Sequence, residues 1–190
     1  MSWMSAADFE ARYRNDPDPW GYTHSEYERD KYAATLEACG AGPFDCALEL
    51  GGSIGVFSQL LAPRCRRLIT VDAAPTAVAI ARRRLAGDPR VEVILGQIPA
   101  AIPQEKSYDL VVASEILYYL TPRDLERTLA VLEQQTRAGA RLVAVHWRPP
   151  GPERPFDAES AHAQLREQPW LATLHRGGTD DYLLEVMRRR

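Results

Sequence analysis

The residues with the most chemical content are Glu49-Leu50-Gly51-Gly52-Ser53-Ile54-Gly55, together with Asp72, which follows Gly51 by 21 positions. The turn leaves a short apolar run, Cys46 to Leu50, and opens a helix. In open α/β sheets, ligands bind outside the carboxyl ends of the strands, where strand order reverses, and the first strand-to-helix turn is usually that point. Three chemistries can be read into these letters. A dinucleotide fingerprint needs glycine at 51, 53 and 56, and Ser53 and Val56 break it where a pyrophosphate must approach the backbone. A nucleophile elbow fits as Gly51-Gly52-Ser53-Ile54-Gly55, with Asp72 and His146 following in hydrolase order. That elbow needs upstream strands to build an oxyanion hole, and only helix and loop are expected before residue 46. The third chemistry is binding of S-adenosylmethionine. An acid at the strand end, Glu49, precedes small residues at alternate positions, Gly51, Ser53 and Gly55, which let the backbone curl around a methionine portion. The helix N-terminus that follows adds its amide dipoles. Serine enters left-handed backbone less freely than glycine, so Ser53 departs from the ideal loop. Asp72 ends the next strand, where a carboxylate can accept both ribose hydroxyls of an adenosine. As an alternative it caps the helix that follows.

The elements that must position these residues are legible from periodicity and breakers. Residues 5–15 predict a short amphipathic helix with Phe9 and Tyr13 on one face. Ser25 and Glu28 read as a capping box for a second helix reaching about Cys39. Strand and helix then alternate. Strands are expected at 46–50, 67–71, 91–95, 108–113 and 141–145, with helices over 54–62, from Pro75 to about Leu85, from Pro122 to about Arg137 and over 157–167. Two last strands, near 171–176 and 181–187, are too close to hold a helix between them and predict an antiparallel hairpin. This rhythm is that of an α/β doubly wound sheet. The division expected is one domain over residues 1–190: an N-terminal helical segment, 1–43, ahead of an α/β core, 44–190.

Composition excludes several classes. The net charge is −3, and the clustered arginines, Arg64-Arg66-Arg67 and Arg82-Arg83-Arg84, lack interleaved aromatics, so no nucleic-acid partner is expected. The cysteines, Cys39, Cys46 and Cys65, have neither metal nor redox spacing. With no apolar leader and no span-length apolar run, the reading is a cytoplasmic protein without a membrane partner, monomer or homodimer.

The residues resemble class I S-adenosylmethionine-dependent methyltransferases over roughly 15–190. Glu49 to Gly55, Val71-Asp72, Gly96-Gln97-Ile98 and Ser114-Glu115-Ile116-Leu117-Tyr118-Tyr119-Leu120 carry the likeness. More narrowly, Asp18-Pro19-Trp20, Tyr27-Glu28-Arg29-Asp30-Lys31 and Glu115 to Leu120 are similar to the nodulation protein S group. The resemblance implies a Rossmann-like seven-stranded sheet ordered 3-2-1-4-5-7-6, strand 7 antiparallel, with helices on both faces. It implies that Glu49, Gly51, Gly52, Ser53 and Gly55 hold the methionine moiety, that Asp72 with Ala73 holds the ribose, and that Gln97 and Ile98 flank the adenine. Gln97 stands where many members have an acid, and its carbonyl oxygen can still accept from the adenine amino group. The N-terminal segment would serve as a lid through Trp20 and Tyr27, or else pack its helices on the sheet. Lys31 or Arg29 would pair with the methionine carboxylate, or be a surface cation.

A general base is needed only if the acceptor arrives protonated. His146, at the end of the fifth strand, Glu115 and Tyr118 are the expected candidates, with His146 alternatively a structural histidine and Glu115 a cap or a ligand of the methionine amino group. No large insertion separates strands five and six, which favours a small-molecule acceptor. The resemblance suggests an amine, such as an amino sugar, with O-methylation in natural-product metabolism as an alternative. A serine hydrolase using Ser53 and a non-catalytic cofactor-binding module are the remaining readings.

Overall fold

The computed structural model describes residues 3–104, 107–149 and 154–190. Its strands are β1 (Ala47–Leu50), β2 (Leu68–Asp72), β3 (Val91–Leu95), β4 (Tyr108–Ser114), β5 (Thr136–Trp147), β6 (Leu171–Gly178) and β7 (Tyr182–Arg189). They form one sheet of order β3-β2-β1-β4-β5-β7-β6. The first five pair in parallel, while β7 runs antiparallel to both β5 and β6. The sheet order and the closing hairpin are those expected, and the architecture is the class I methyltransferase fold.

The helices are α1 (Ala6–Asn15), α2 (Glu26–Cys39), α3 (Val56–Leu61), α4 (Pro75–Arg84), α5 (Pro122–Gln135) and α6 (Ala158–Arg166). Side chains alternate across the central strands, as the two-residue period of a strand requires. Leu48 and Leu50 of β1, Val111 and Ala113 of β4, and Leu142 and Ala144 of β5 pack with Leu125, Leu129 and Leu132 of α5 and with Leu165 of α6. Ala47, Leu110, Val112, Val143 and Val145 face the other way, against Tyr32 and Cys39 of α2 and Phe57 and Leu61 of α3. Both faces of the sheet are therefore covered, which is why β1 and β4 are apolar apart from Glu49 in the one and Asp109 and Ser114 in the other.

Two local expectations are corrected. Arg137 belongs to β5 and not to the preceding helix, because Thr136, a β-branched residue whose hydroxyl bonds the Leu132 carbonyl at 2.7 Å, closes α5. The capping box of α2 is half formed. Ser25 accepts from the Glu28 amide, but the Glu28 carboxylate turns to Lys31. Within residues 1–43, α2 is a buried layer on the sheet, while α1 packs beside α4. Three of the clustered arginines are tied to backbone, and Arg66 and Arg67 pair with Asp45 and Glu92. Arg64 donates to the carbonyls of Leu36 and Gly40 at the end of α2, Arg82 to that of Val93 and Arg84 to that of Ile54.

Candidate functional site

A cavity of about 770 Å³ opens over the carboxyl ends of β1, β2 and β4. The β1 turn forms its floor. Gly51 has φ +75° and Gly55 +78°, and Ser53 lies in the same left-handed region at +50°. A serine there is strained, and two contacts hold it. Its amide donates to Asp72 Oδ2 at 2.8 Å, and its hydroxyl lies 2.5 Å from the Tyr13 phenol. A Cβ at Gly51 would stand 3.1 Å from Ile116 on the facing wall. Gly51 thus keeps the cradle open toward that wall, while Gly52 and Gly55 are small because Thr70, and Ala81 with Leu85, stand against them, and the turn fits a methionine portion.

Glu49 is buried beneath this floor and accepts from the Ser58 hydroxyl, one turn into α3. Burial raises its pKa to about 7, with the Ser58 and Thr70 hydroxyls opposing. Asp72 ends β2 and accepts the Ala74 amide at 2.9 Å on its second oxygen, forming a turn that ends at Ala74, the α4 N-cap, two residues on. Burial pushes its carboxyl up and the backbone amides pull it down, with a net rise. Gln97 and Ile98 follow β3, and with Ala73 they line the cavity beside Asp72. This side suits a nucleoside, with carboxylate, amide and apolar wall adjoining.

On the other side of β1 stands a polar group. Lys31 of α2 is buried between Glu28 and Glu115, at 2.9 Å and 2.8 Å. Burial works against its charge and the two carboxylates outweigh it, so its pKa is raised. Glu115 follows β4 with φ +56°, a costly geometry for a large side chain. Its second oxygen accepts the Tyr118 hydroxyl and the Trp147 amide. Lys31, which the resemblance matched to a methionine carboxylate, thus already has its charge met. Arg29 lies on the exposed face of α2 beside Glu26.

The roof is aromatic. Trp20 meets the Tyr13 ring edge-on at 5.4 Å, Phe9 meets Tyr119 edge-on at 4.9 Å, and Tyr27 lines the wall next to Lys31. The first helix is pinned to α4 by Glu10, which accepts from the Thr76 amide and hydroxyl, both at 2.8 Å.

His146 is the residue that the structure sets apart. It is fully buried and does not line the cavity. Its Nε2 accepts the Leu117 amide at 3.0 Å, so its proton sits on Nδ1, which faces His162 Nε2 at 2.8 Å. Burial, then the second histidine, hold its pKa well below the usual range. With both ring nitrogens engaged, His146 cannot reach a proton in the cavity. The hydrolase reading fails by the same geometry. The Ser53 hydroxyl meets Tyr13, and Asp72 meets backbone amides, so no triad forms. The sequence reading passed over Glu28, Tyr13 and Tyr22 as site residues. The four-residue spacing of Phe9 and Tyr13 was the signal for the first helix, and Glu28 was masked by its capping-box position.

The profile of the nodulation protein S family matches residues 6–141. The chain belongs to that family. Nodulation protein S of Sinorhizobium fredii is 34% identical over 104 residues, 54% of this chain and 48% of that one. The chain spans about half the length of the curated relatives it matches. Among solved structures it is similar to the N-methyltransferase NodS of Bradyrhizobium japonicum WM9 in complex with S-adenosyl-L-homocysteine. That protein has a TM-score of 0.86 and 26% identity, with 97% of each chain covered. It is also similar to a putative methyltransferase of Pseudomonas syringae, with a TM-score of 0.76 and 33% identity over 87% of this chain and 100% of that one. S-adenosylmethionine is the cofactor of this family's fold, and the open turn and Asp72 fit it. No described helix is long and apolar enough to cross a membrane, and no metal-binding cluster is found among the described residues.

Proposed function

We propose that the chain is a S-adenosylmethionine-dependent methyltransferase whose acceptor is the nitrogen of a small amine, an amino sugar being the leading class. The carrying observation is the single cavity that joins the Gly51–Asp72–Gln97 side to the aromatic, carboxylate-bearing side at Tyr118 and Trp147. Its 770 Å³ lies in the upper part of the ~300–1,000 Å³ range of small-molecule sites, which leaves room beyond a cofactor. The N-methyltransferase named among its structural relatives supports nitrogen over oxygen.

The cofactor supplies a methyl group already activated by its sulfonium, so the protein's task is positioning and exclusion of water. Asp72 would take the ribose hydroxyls, Gln97 and Ile98 the adenine, and the turn from Gly51 to Gly55 the methionine chain. Phe9, Tyr13 and Trp20 exclude water from above. Tyr118 and Glu115, bonded to each other, stand on the acceptor side.

Calorimetric titration with S-adenosylhomocysteine, followed by methyl transfer to a panel of primary amines and hydroxyl compounds, tests this. Micromolar binding and an N-methylated product are expected. A folded protein that binds no S-adenosylhomocysteine would overturn the reading, and O-methylated products alone would move it to the hydroxyl class.

A further inference from the structure

The two carboxylates that hold Lys31 are unequally used. Both oxygens of Glu115 are bonded: Oε1 to Lys31, and Oε2 to Tyr118 and the Trp147 amide. Glu28 gives Oε1 to Lys31, while its Oε2 has no partner. The Glu28 side chain is only 9% exposed, and the residue lines the cavity. The neighbouring Tyr27 hydroxyl, on the same wall, is also buried without a partner. A buried carboxylate oxygen left without a donor is costly, so it marks a place where a ligand's donor is missing.

Charge narrows the ligand. Two carboxylates surround one ammonium, which leaves one negative charge in excess. Arg154 is not paired with either carboxylate. That guanidinium stands over the Tyr118 ring at 4.3 Å and donates to the carbonyls of Trp147 and Pro149. A free anionic acceptor calls for a cationic donor, and an alkylammonium offers three N–H groups. Position narrows it further. The nucleoside side lies over β2 and β3, and Lys31 is bonded to Glu115 beyond β4, across β1 from that side.

We propose that Glu28 Oε2 anchors the ammonium group of the methyl acceptor and takes its proton. The assignment rests on the reading of the chain as an amine methyltransferase. An ammonium nitrogen has no lone pair and cannot be a nucleophile. When one N–H bond breaks, the proton passes to Oε2, Glu28 becomes a neutral carboxylic acid, and the bonding pair stays on nitrogen as the lone pair that methyl transfer requires. Glu28 returns its proton to solvent once the product has left. The groups that face this carboxyl are Lys31, Tyr27 and Tyr32 on its own helix, Asp18 and Tyr22 from the preceding turn, and Glu115 from the β4 loop. Burial raises its proton affinity from that of an ordinary glutamate, with Lys31 opposing, and this suits a proton acceptor.

The test compares the full chain with Glu28→Gln and Glu28→Asp, each checked for folding by circular dichroism. S-adenosylhomocysteine affinity is measured by calorimetry. Rates are measured across about pH 6 to 10, a window that covers amines titrating at about 8 and the rising limb of alkylamines titrating at about 10.4, with glucosamine and the best-used primary amine of the panel. For Glu28→Gln, the cofactor Kd should stay within about threefold while KM for the amine rises roughly tenfold or more. Its kcat/KM should climb about tenfold per pH unit up to the amine's own pKa, because only neutral amine is then used. Glu28→Asp should recover the wild-type profile at a lower rate. Wild-type KM and profile in Glu28→Gln would overturn the proposal. So would a large loss of S-adenosylhomocysteine binding with amine KM intact, which would assign Glu28 to the methionine ammonium. If Glu28→Gln does not fold, an unchanged amine KM in Glu28→Asp overturns it and a raised one supports it. Failure of the amine reading is separate, since it appears in the wild-type arm as O-methylation alone, and the proposal falls with it.

Discussion

The Tyr13 phenol lies 2.5 Å from the Ser53 hydroxyl, which joins the first helix to the middle of the turn that floors the cavity. Ser53 holds φ +50°, where an L-residue costs roughly 1–2 kcal/mol relative to right-handed backbone. Glycine at 53 would relieve that strain but lose a hydrogen bond of about 1 kcal/mol. Ser53→Gly should therefore be close to neutral in the wild type. In a Tyr13→Phe background, where the bond is already gone, it should stabilise by about 1 kcal/mol. Urea denaturation of the four proteins reads the cycle. Equal effects in both backgrounds would show that the contact does not couple helix and turn.

Asp72 spends its two oxygens on the amides of Ser53 and Ala74 and still lines the cavity. Each oxygen retains capacity for a further donor. Asp72→Ala should weaken S-adenosylhomocysteine binding by roughly 1–3 kcal/mol, the cost of losing hydrogen bonds to a charged group. Calorimetry checks this, and unchanged affinity would remove Asp72 from the ribose site.

Much of this architecture was legible because α/β rhythm, glycine turns and buried apolar runs are local signals. Gly51, Ser53 and Asp72, which line the cavity, were marked by residue type and spacing, while Gly55 packs against Ala81 and Leu85 instead. The acceptor side was less legible, since it depends on contacts distant in sequence. Lys31 and Glu115 are 84 positions apart. Nothing local distinguishes Glu28 the helix cap from Glu28 the buried carboxylate. His146 misled for the opposite reason. It ends a strand at the correct edge, as a base would, yet its ring turns inward because Leu117 and His162 supply partners that only the tertiary fold brings close.

That inward turn makes His146 a support for the 3-10 turn Leu117–Tyr119, which carries Tyr118 to the cavity. Its proton arrangement continues outward. His162 accepts on Nε2, and its Nδ1 lies 3.7 Å from Glu185, which Arg166 and Arg176 hold at 2.6 Å and 3.0 Å. His146→Ala would orphan a buried amide and open a cavity, at a cost of about 2–5 kcal/mol. Thermal denaturation should show the loss. Turnover should retain the wild-type pH profile, scaled down. A stable variant with a flattened profile would restore His146 as a base.

Glu49 gives the fold a pH dependence of its own. Burial raises its pKa from 4.5 to about 7, so between those values the folded chain keeps a proton that the unfolded chain releases. Stability from this source is therefore fully present below 4.5 and is lost as pH rises through 7. The amount is on the order of 3 kcal/mol, at about 1.4 kcal/mol per unit. Glu49→Gln keeps the size and a hydrogen-bonding group for Ser58 but carries no charge to bury. Without cofactor, its Tm should match the wild type in mild acid and exceed it by several degrees in mild alkali, at about 2–4 °C per kcal/mol for a chain of this size. Differential scanning calorimetry of the two proteins side by side isolates the residue, because every other titrating group is common to both. Parallel Tm curves would mean that the folded chain holds Glu49 ionised at neutral pH. The Ser58 and Thr70 hydroxyls would then be offsetting the burial that surrounds it.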